Sequence, residues 1–224
     1  MFECLKRREP TRPSVDRVGA NLPWIPFAKI EQAEMKTRGR YSGGYPRGAV
    51  VHFTAGSRPG SLDFGRKMGH AYLMIQEDGT ILQAHPLDRW GYHCGESSWP
   101  GLGSGLSDQL VGIEIAAAGR LEKVSGGYRS WFGTLIPEDQ VRLSVSKQNI
   151  QAGAYQKYTL AQEASLTRLL LWLKSNNPDV FKLEYVLGHD EIAPKRKNDP
   201  GAALSLTMPE YRSFLASEWA KGTF

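Results

Sequence analysis

Cysteines, long apolar runs, dense basic runs and internal repeats are scarce or missing in this chain. Cys4 and Cys94 are its only cysteines among 224 residues, too few for a disulfide framework, so free thiols in a cytosolic protein are the expectation. No apolar stretch approaches the ~18 residues of a membrane-spanning helix. The segment from Met1 to Pro10 carries charges where a signal peptide has its apolar core, so no standard export signal is expected and the chain is read as cytoplasmic when made. Lys and Arg total 28 against 23 Asp and Glu, a net charge of +5. That excess suits an anionic partner such as a cell-wall polymer, nucleic acid or a membrane surface, yet no basic stripe singles out nucleic acid. What the chain does have is 41% hydrophobic residues, enough for a sizeable core.

Residues 1 to 44 mix Pro, Gly and charge around a short aromatic island, Leu22 to Phe27, and read as an arm packed on a domain spanning 45–224. Gly48 to Thr54 is β-branched and apolar, ends at Ala55-Gly56, and reads as a buried strand with His52 near its end. Ala71 to Gln76 and Thr80 to Gln83 flank Glu77-Asp78-Gly79 as a hairpin, because Gly79 accepts the positive φ of the turn. Leu110 to Ala116 is a further strand with one embedded carboxylate, Glu114, and Leu183 to Leu187 a short one running into His189. Two helices are signalled by capping boxes. Thr159 and Gln162 precede the stripe Leu166, Leu169, Leu170 and Leu173, which stops before Pro178; Thr207 and Glu210 precede Tyr211, Phe214, Leu215 and Trp219, expected to face inward. The irregular alternation implies an α/β fold, a mixed central sheet flanked by helices. The segment 119–158, with Tyr128, Trp131, Phe132, Tyr155 and Tyr158, shows no clear period and is expected to form a strand pair or a lid beside the site.

The residues with chemistry concentrate in one loop, Gly188 to Gly201, which places His189, Lys197 and Asp199 between Pro and Gly punctuation. With His52 on a sheet edge, two imidazoles and a carboxylate match the ligand preference of zinc with an open fourth position. A hydrogen-bonded structural role is the competing reading of each histidine. Glu114, in a strand of Val, Ile and Ala, must be paired, protonated or facing a polar cavity; in the last case it suits general base work, and otherwise it faces solvent on an alternating strand. Lys197 could stabilise an oxyanion, although Lys195 and Arg196 beside it make a solvated basic turn equally natural.

Together, His52-Phe53-Thr54-Ala55-Gly56, the hairpin with Asp78-Gly79-Thr80, Trp90-Gly91-Tyr92-His93-Cys94-Gly95, Val111-Gly112-Ile113-Glu114-Ile115 and the Gly188–Gly201 loop resemble the zinc-dependent N-acetylmuramoyl-L-alanine amidases. This is the group related to peptidoglycan recognition proteins and amidase-type phage lysins. The resemblance covers roughly residues 45 to 215 and implies the peptidoglycan recognition protein-like fold. By position it implies zinc ligands at His52, His189 and Asp199, a catalytic Glu114 and a catalytic Lys197, with His93, Tyr72 and Trp90 along the substrate groove. Where Tyr72 stands the family often has His, here found two places earlier at His70. Cys94 replaces a commoner small residue and is expected to be a buried bystander thiol. Implied in turn are one zinc ion per chain, peptidoglycan or muropeptides as partner, no nucleic acid, no integral membrane association, and an endolysin-type use. A cytosolic amidase recycling anhydro-muropeptides is the alternative, and a non-catalytic peptidoglycan-binding module is the alternative of another class.

Overall fold

In the computed structural model of the protein, residues 19–31, 37–56, 67 and 73–222 are described. Cys4, His70 and Tyr72 lie outside them, as do the arm's first 18 residues. The labelled elements, in chain order, are β1 (Lys29–Ile30), β2 (Gly48–Phe53), β3 (Leu73–Ile75), β4 (Ile81–Gln83), β5 (Leu110–Ile115), β6 (Arg120–Val124), β7 (Gly127–Arg129), β8 (Leu135–Ile136), β9 (Val141–Ser144), β10 (Gly153–Gln156), helix α1 (Leu160–Asn176), β11 (Val186–Gly188) and helix α2 (Met208–Lys221).

The central sheet runs β1-β4-β3-β5-β2-β11. It is mixed, since β3 and β4 form the antiparallel hairpin while β5, β2 and β11 pair in parallel. Gly79 takes φ +84° at the hairpin turn. Alternation along the strands divides the sheet into two faces. Ala49 and Val51 of β2, Val111, Ile113 and Ile115 of β5, and Leu73 and Ile75 of β3 join Leu166, Leu169, Leu170 and Leu173 of α1 and Tyr211 and Leu215 of α2 in the main core. The opposite face carries His52 and Glu114, placed side by side by the β2/β5 register.

α1 begins with the expected box: Gln162 N–H donates to Thr159 Oγ1 at 3.1 Å, and Thr159 N–H to Gln162 Oε1 at 2.9 Å. At α2 the Glu210 carboxylate instead accepts both the N–H and the hydroxyl of Thr207, at 2.8 and 2.6 Å. Leu170 is fully buried between α1 and the sheet. Leu170→Ala is expected to lower stability by about 2–5 kcal/mol, read as a shift in urea midpoint at unchanged slope.

Three expectations are corrected. Leu183–Tyr185 is a 3-10 turn, closed by Tyr185 N–H donating to Lys182 O at 3.1 Å, and parallel pairing with β2 starts only at Val186 opposite Ala49. Phe214 is 38% exposed: Tyr211 and Leu215, four apart, centre the buried stripe of α2, and Phe214 lies at its margin, stacked on Tyr211. The segment after Gly119 is more than a strand pair. It folds as a five-stranded antiparallel sheet in the order β8-β7-β6-β10-β9, with its own small core of Ala118, Leu121, Ile136 and Ala154. Tyr155 and Tyr158 are buried, Tyr158 as part of the main core, whereas Trp131 is 75% exposed and donates its indole N–H to Ala55 O.

Candidate metal and catalytic site

β2 delivers His52, and the helical turn His189–Ile192 directly after β11 delivers His189. The loop then returns: Asp190 N–H donates to Asp199 O at 2.8 Å, which brings the Asp199 side chain back to the histidines. Glu191 locks the turn, accepting from Gly188 N–H and from the fork of Arg212 on α2 at 2.7 and 2.9 Å. Asp199 Oδ2 lies 2.9 Å from Nδ1 of His52 and 2.9 Å from Nδ1 of His189. One ligand atom from each of the three buried residues falls within 4.8 Å of the others.

Donor chemistry decides what this cluster fits. His189 Nε2 lies 3.1 Å from Cys94 O, a carbonyl that can only accept, so Nε2 carries a proton and Nδ1 is the ring atom turned toward Asp199 as a possible ligand. Burial, followed by the neighbouring His189, pushes His52 down to about 4, so a proton is poorly held there at neutral pH. Two imidazole nitrogens and a carboxylate suit a divalent metal such as zinc.

Glu114 stands beside His52 between β3 and β2, and its Oε2 is inaccessible and without a hydrogen-bond partner. Burial, then the Asp199 charge, pushes its carboxyl up to about 8, with Lys197 pulling the other way. The solvent-facing reading of Glu114 therefore fails: Gly112, Glu114 and Ala116 share a face, but it is the site face. Lys197 lies close enough for its charge to lower the pKa of both Glu114 and His52.

Other sequence candidates are placed differently. His93 is engaged inside the protein, with Nδ1 3.1 Å from His52 Nε2 and Nε2 2.8 Å from Leu110 O, so neither ring nitrogen is turned to a groove. Trp90 packs edge-on to Tyr92 and against Gly39. Tyr72 lies outside the described residues. Cys94 is buried, hydrogen-bonded through Sγ to Ser107 and Ser97, and burial raises its thiol; the thiol is a bystander although its carbonyl is not. Arg196, read as a solvated charge, instead donates to Cys94 O at 2.7 Å and to Glu96 O. It thereby braces the carbonyl that orients His189.

The profile of the N-acetylmuramoyl-L-alanine amidase family matches residues 42–202, more than half of the chain and every residue of the cluster. The chain belongs to that family. Among curated amidases, the 1,6-anhydro-N-acetylmuramyl-L-alanine amidase AmpD of Salmonella typhimurium (strain SL1344) is 26% identical over 168 residues, covering 73% of this chain and 68% of that protein. AmpD of Escherichia coli (strain K12) is 28% identical over 155 residues, 67% of this chain and 64% of that protein. The chain thus spans about two thirds of these relatives. The E. coli amidase AmiD, solved with anhydro-N-acetylmuramic acid-L-Ala-D-gamma-Glu-L-Lys, shares the fold with a TM-score of 0.53 at 22% identity, covering 80% of this chain and 61% of that one.

Proposed function

We propose that this amidase hydrolyses the amide between the lactyl group of N-acetylmuramic acid and L-alanine of the stem peptide, with zinc held by His52, His189 and Asp199. The observation that carries the reading is the convergence of one possible ligand atom from each of three buried residues beside Glu114, whose Oε2 is inaccessible and unpartnered. When bound, zinc supplies Lewis-acid polarisation and a water whose pKa falls toward ~7. The residues do the rest. Glu114 takes the proton of the attacking water, its raised proton affinity suiting it to a base that works near neutral pH, and returns that proton to the leaving alanine nitrogen. Lys197 faces the charge that grows on the carbonyl oxygen. Lys197→Met is expected to cut kcat by about 10²–10³-fold while zinc content stays at wild-type level; an unchanged kcat removes Lys197 from the mechanism.

Residues 45–224 form the catalytic domain in this reading, with 1–44 as its arm. Ile25 of that arm sits in the main core and β1 pairs with β4, which supports an arm docked on the domain. Peptidoglycan or its fragments are the partner. Among the described residues no helix is long and apolar enough to cross a membrane. Endolysin-type attack on the intact wall is supported by the additional sheet β6–β10 beside the site. A second reading, trimming of soluble anhydro-muropeptides, is favoured by the similarity to curated 1,6-anhydro-N-acetylmuramyl-L-alanine amidases. Mass analysis of digests tests both: new free L-alanine amino groups establish the bond, and the ratio of rates on intact sacculi and on soluble anhydro-muropeptide separates the two uses. Tight wall binding with no amine released points to a binding module.

A further inference from the structure

His52 meets Asp199 with one ring nitrogen and His93 with the other. The direction of hydrogen bonding along this chain is decided at its far end. Leu110 O can only accept, so the proton shared at 2.8 Å belongs to His93 Nε2. With the Nε2 proton given to Leu110 O, His93 Nδ1 is the ring atom placed to accept from His52 Nε2 across 3.1 Å. An imidazole that donates from Nε2 in this way is left to meet the Asp199 side with Nδ1, the ring atom that a metal would take. We propose that His93 is a positioning residue that, through this relay from Leu110 O, holds His52 in the Nε2–H tautomer and aims its Nδ1 lone pair at the metal position. The proposal rests on the metal reading above.

A second observation supports it. The His93 ring occupies space that exists only because residue 112 has no side chain: a Cβ on Gly112 would lie 2.8 Å from His93 Cγ and 3.0 Å from Nδ1. Gly112 and Leu110 belong to β5, the strand that also carries Glu114. His93 N–H donates to Ser107 Oγ at 3.2 Å, fixing its backbone as well. One strand therefore supplies the acceptor that ends the relay, the gap that admits the ring and the candidate base. His93-Cys94 orients both metal-facing imidazoles, one through a side chain and the other through a carbonyl. Partners that orient a metal-bound histidine typically alter metal affinity by about 10–100-fold when removed.

The test uses three variants. His93→Phe keeps a ring and loses the acceptor, His93→Asn returns an acceptor near the Nδ1 position, and Gly112→Ala leaves His93 in place but takes its space. Zinc affinity by chelator competition at neutral pH is expected to fall about 10–100-fold in His93→Phe and in Gly112→Ala, with most of the loss recovered in His93→Asn. In metal-free wild-type protein, nitrogen NMR is expected to show a coupling across the hydrogen bond between His52 Nε2 and His93 Nδ1. That measurement does not depend on any variant folding. Wild-type affinity in folded His93→Phe, Asn performing no better than Phe, or no coupling in the wild type each overturns the relay. Failure of the wild type to bind zinc overturns the metal reading instead, and the coupling alone then decides the relay.

Discussion

His189→Ala is expected to yield a folded protein with neither bound zinc nor amidase activity. The substitution removes one of three ligand atoms and leaves His52 and Asp199, two donors where a catalytic zinc site needs three. It also removes the ring stacked edge-on against His52 at 4.5 Å between centroids. The fold itself should persist, because Arg196 still holds Cys94 O and the Glu191–Arg212 pair still locks the loop to α2. Metal polarisation is worth several kcal/mol in the transition state, so the activity loss is expected to be at least about 10³-fold. Elemental analysis of the purified variant and amine release from sacculi measure the two losses. Stoichiometric zinc in the variant, or full activity in wild type stripped of metal, removes the zinc mechanism.

Glu114→Gln separates binding from chemistry. The amide keeps the shape of the carboxylate, touches none of the three ligand atoms and cannot accept the water proton. Zinc occupancy should match wild type while kcat falls by about 10²–10⁴-fold. A stability effect of opposite sign should accompany it in metal-free protein. Burial holds the Glu114 carboxyl at about 8 in the folded state, above the ordinary value of 4.5. Between those pH values the folded protein keeps a proton that the unfolded chain releases, so stability falls as pH rises through the window. Glutamine carries no such penalty. Metal-free Glu114→Gln should therefore melt higher than wild type near pH 8 and like it near pH 4, by thermal scans across that range; parallel curves at both ends contradict a desolvated carboxylate.

The parts of this molecule that were legible from sequence are those whose cause is local. Leu166, Leu169, Leu170 and Leu173 mark the face of α1, Thr159 with Gln162 marks its start, and Gly79 marks the hairpin, each within a few residues of the structure it produces. The approach of His52 to His189 is legible because both follow from neighbouring strands, and Asp199 because it lies on the loop leaving the second of them. The contact of His93 with His52 is not legible in the sequence, because it depends on a gap left by Gly112 and a carbonyl of Leu110, neither of which has a pattern near residue 93. Arg196 resembles Lys195 in sequence; carbonyls of Cys94 and Glu96, about a hundred residues earlier, decide which of them folds back. The second sheet was obscure because its strands are two to five residues long, too short for alternation to stand out.

The β2/β5 register also bounds how this chain can vary. Side chains alternate with a period of two, so inserting or deleting one residue ahead of His52 within β2, or ahead of Glu114 within β5, would turn that side chain into the helix-packed core. The distance between His52 and Glu114 is thus written in backbone pairing, and side-chain substitution cannot restore it once lost. The turn between β6 and β7 has no such role, since Gly126 and Gly127 have open space around them. Length changes are expected to accumulate there, and an engineered loop or tag is best grafted at that turn.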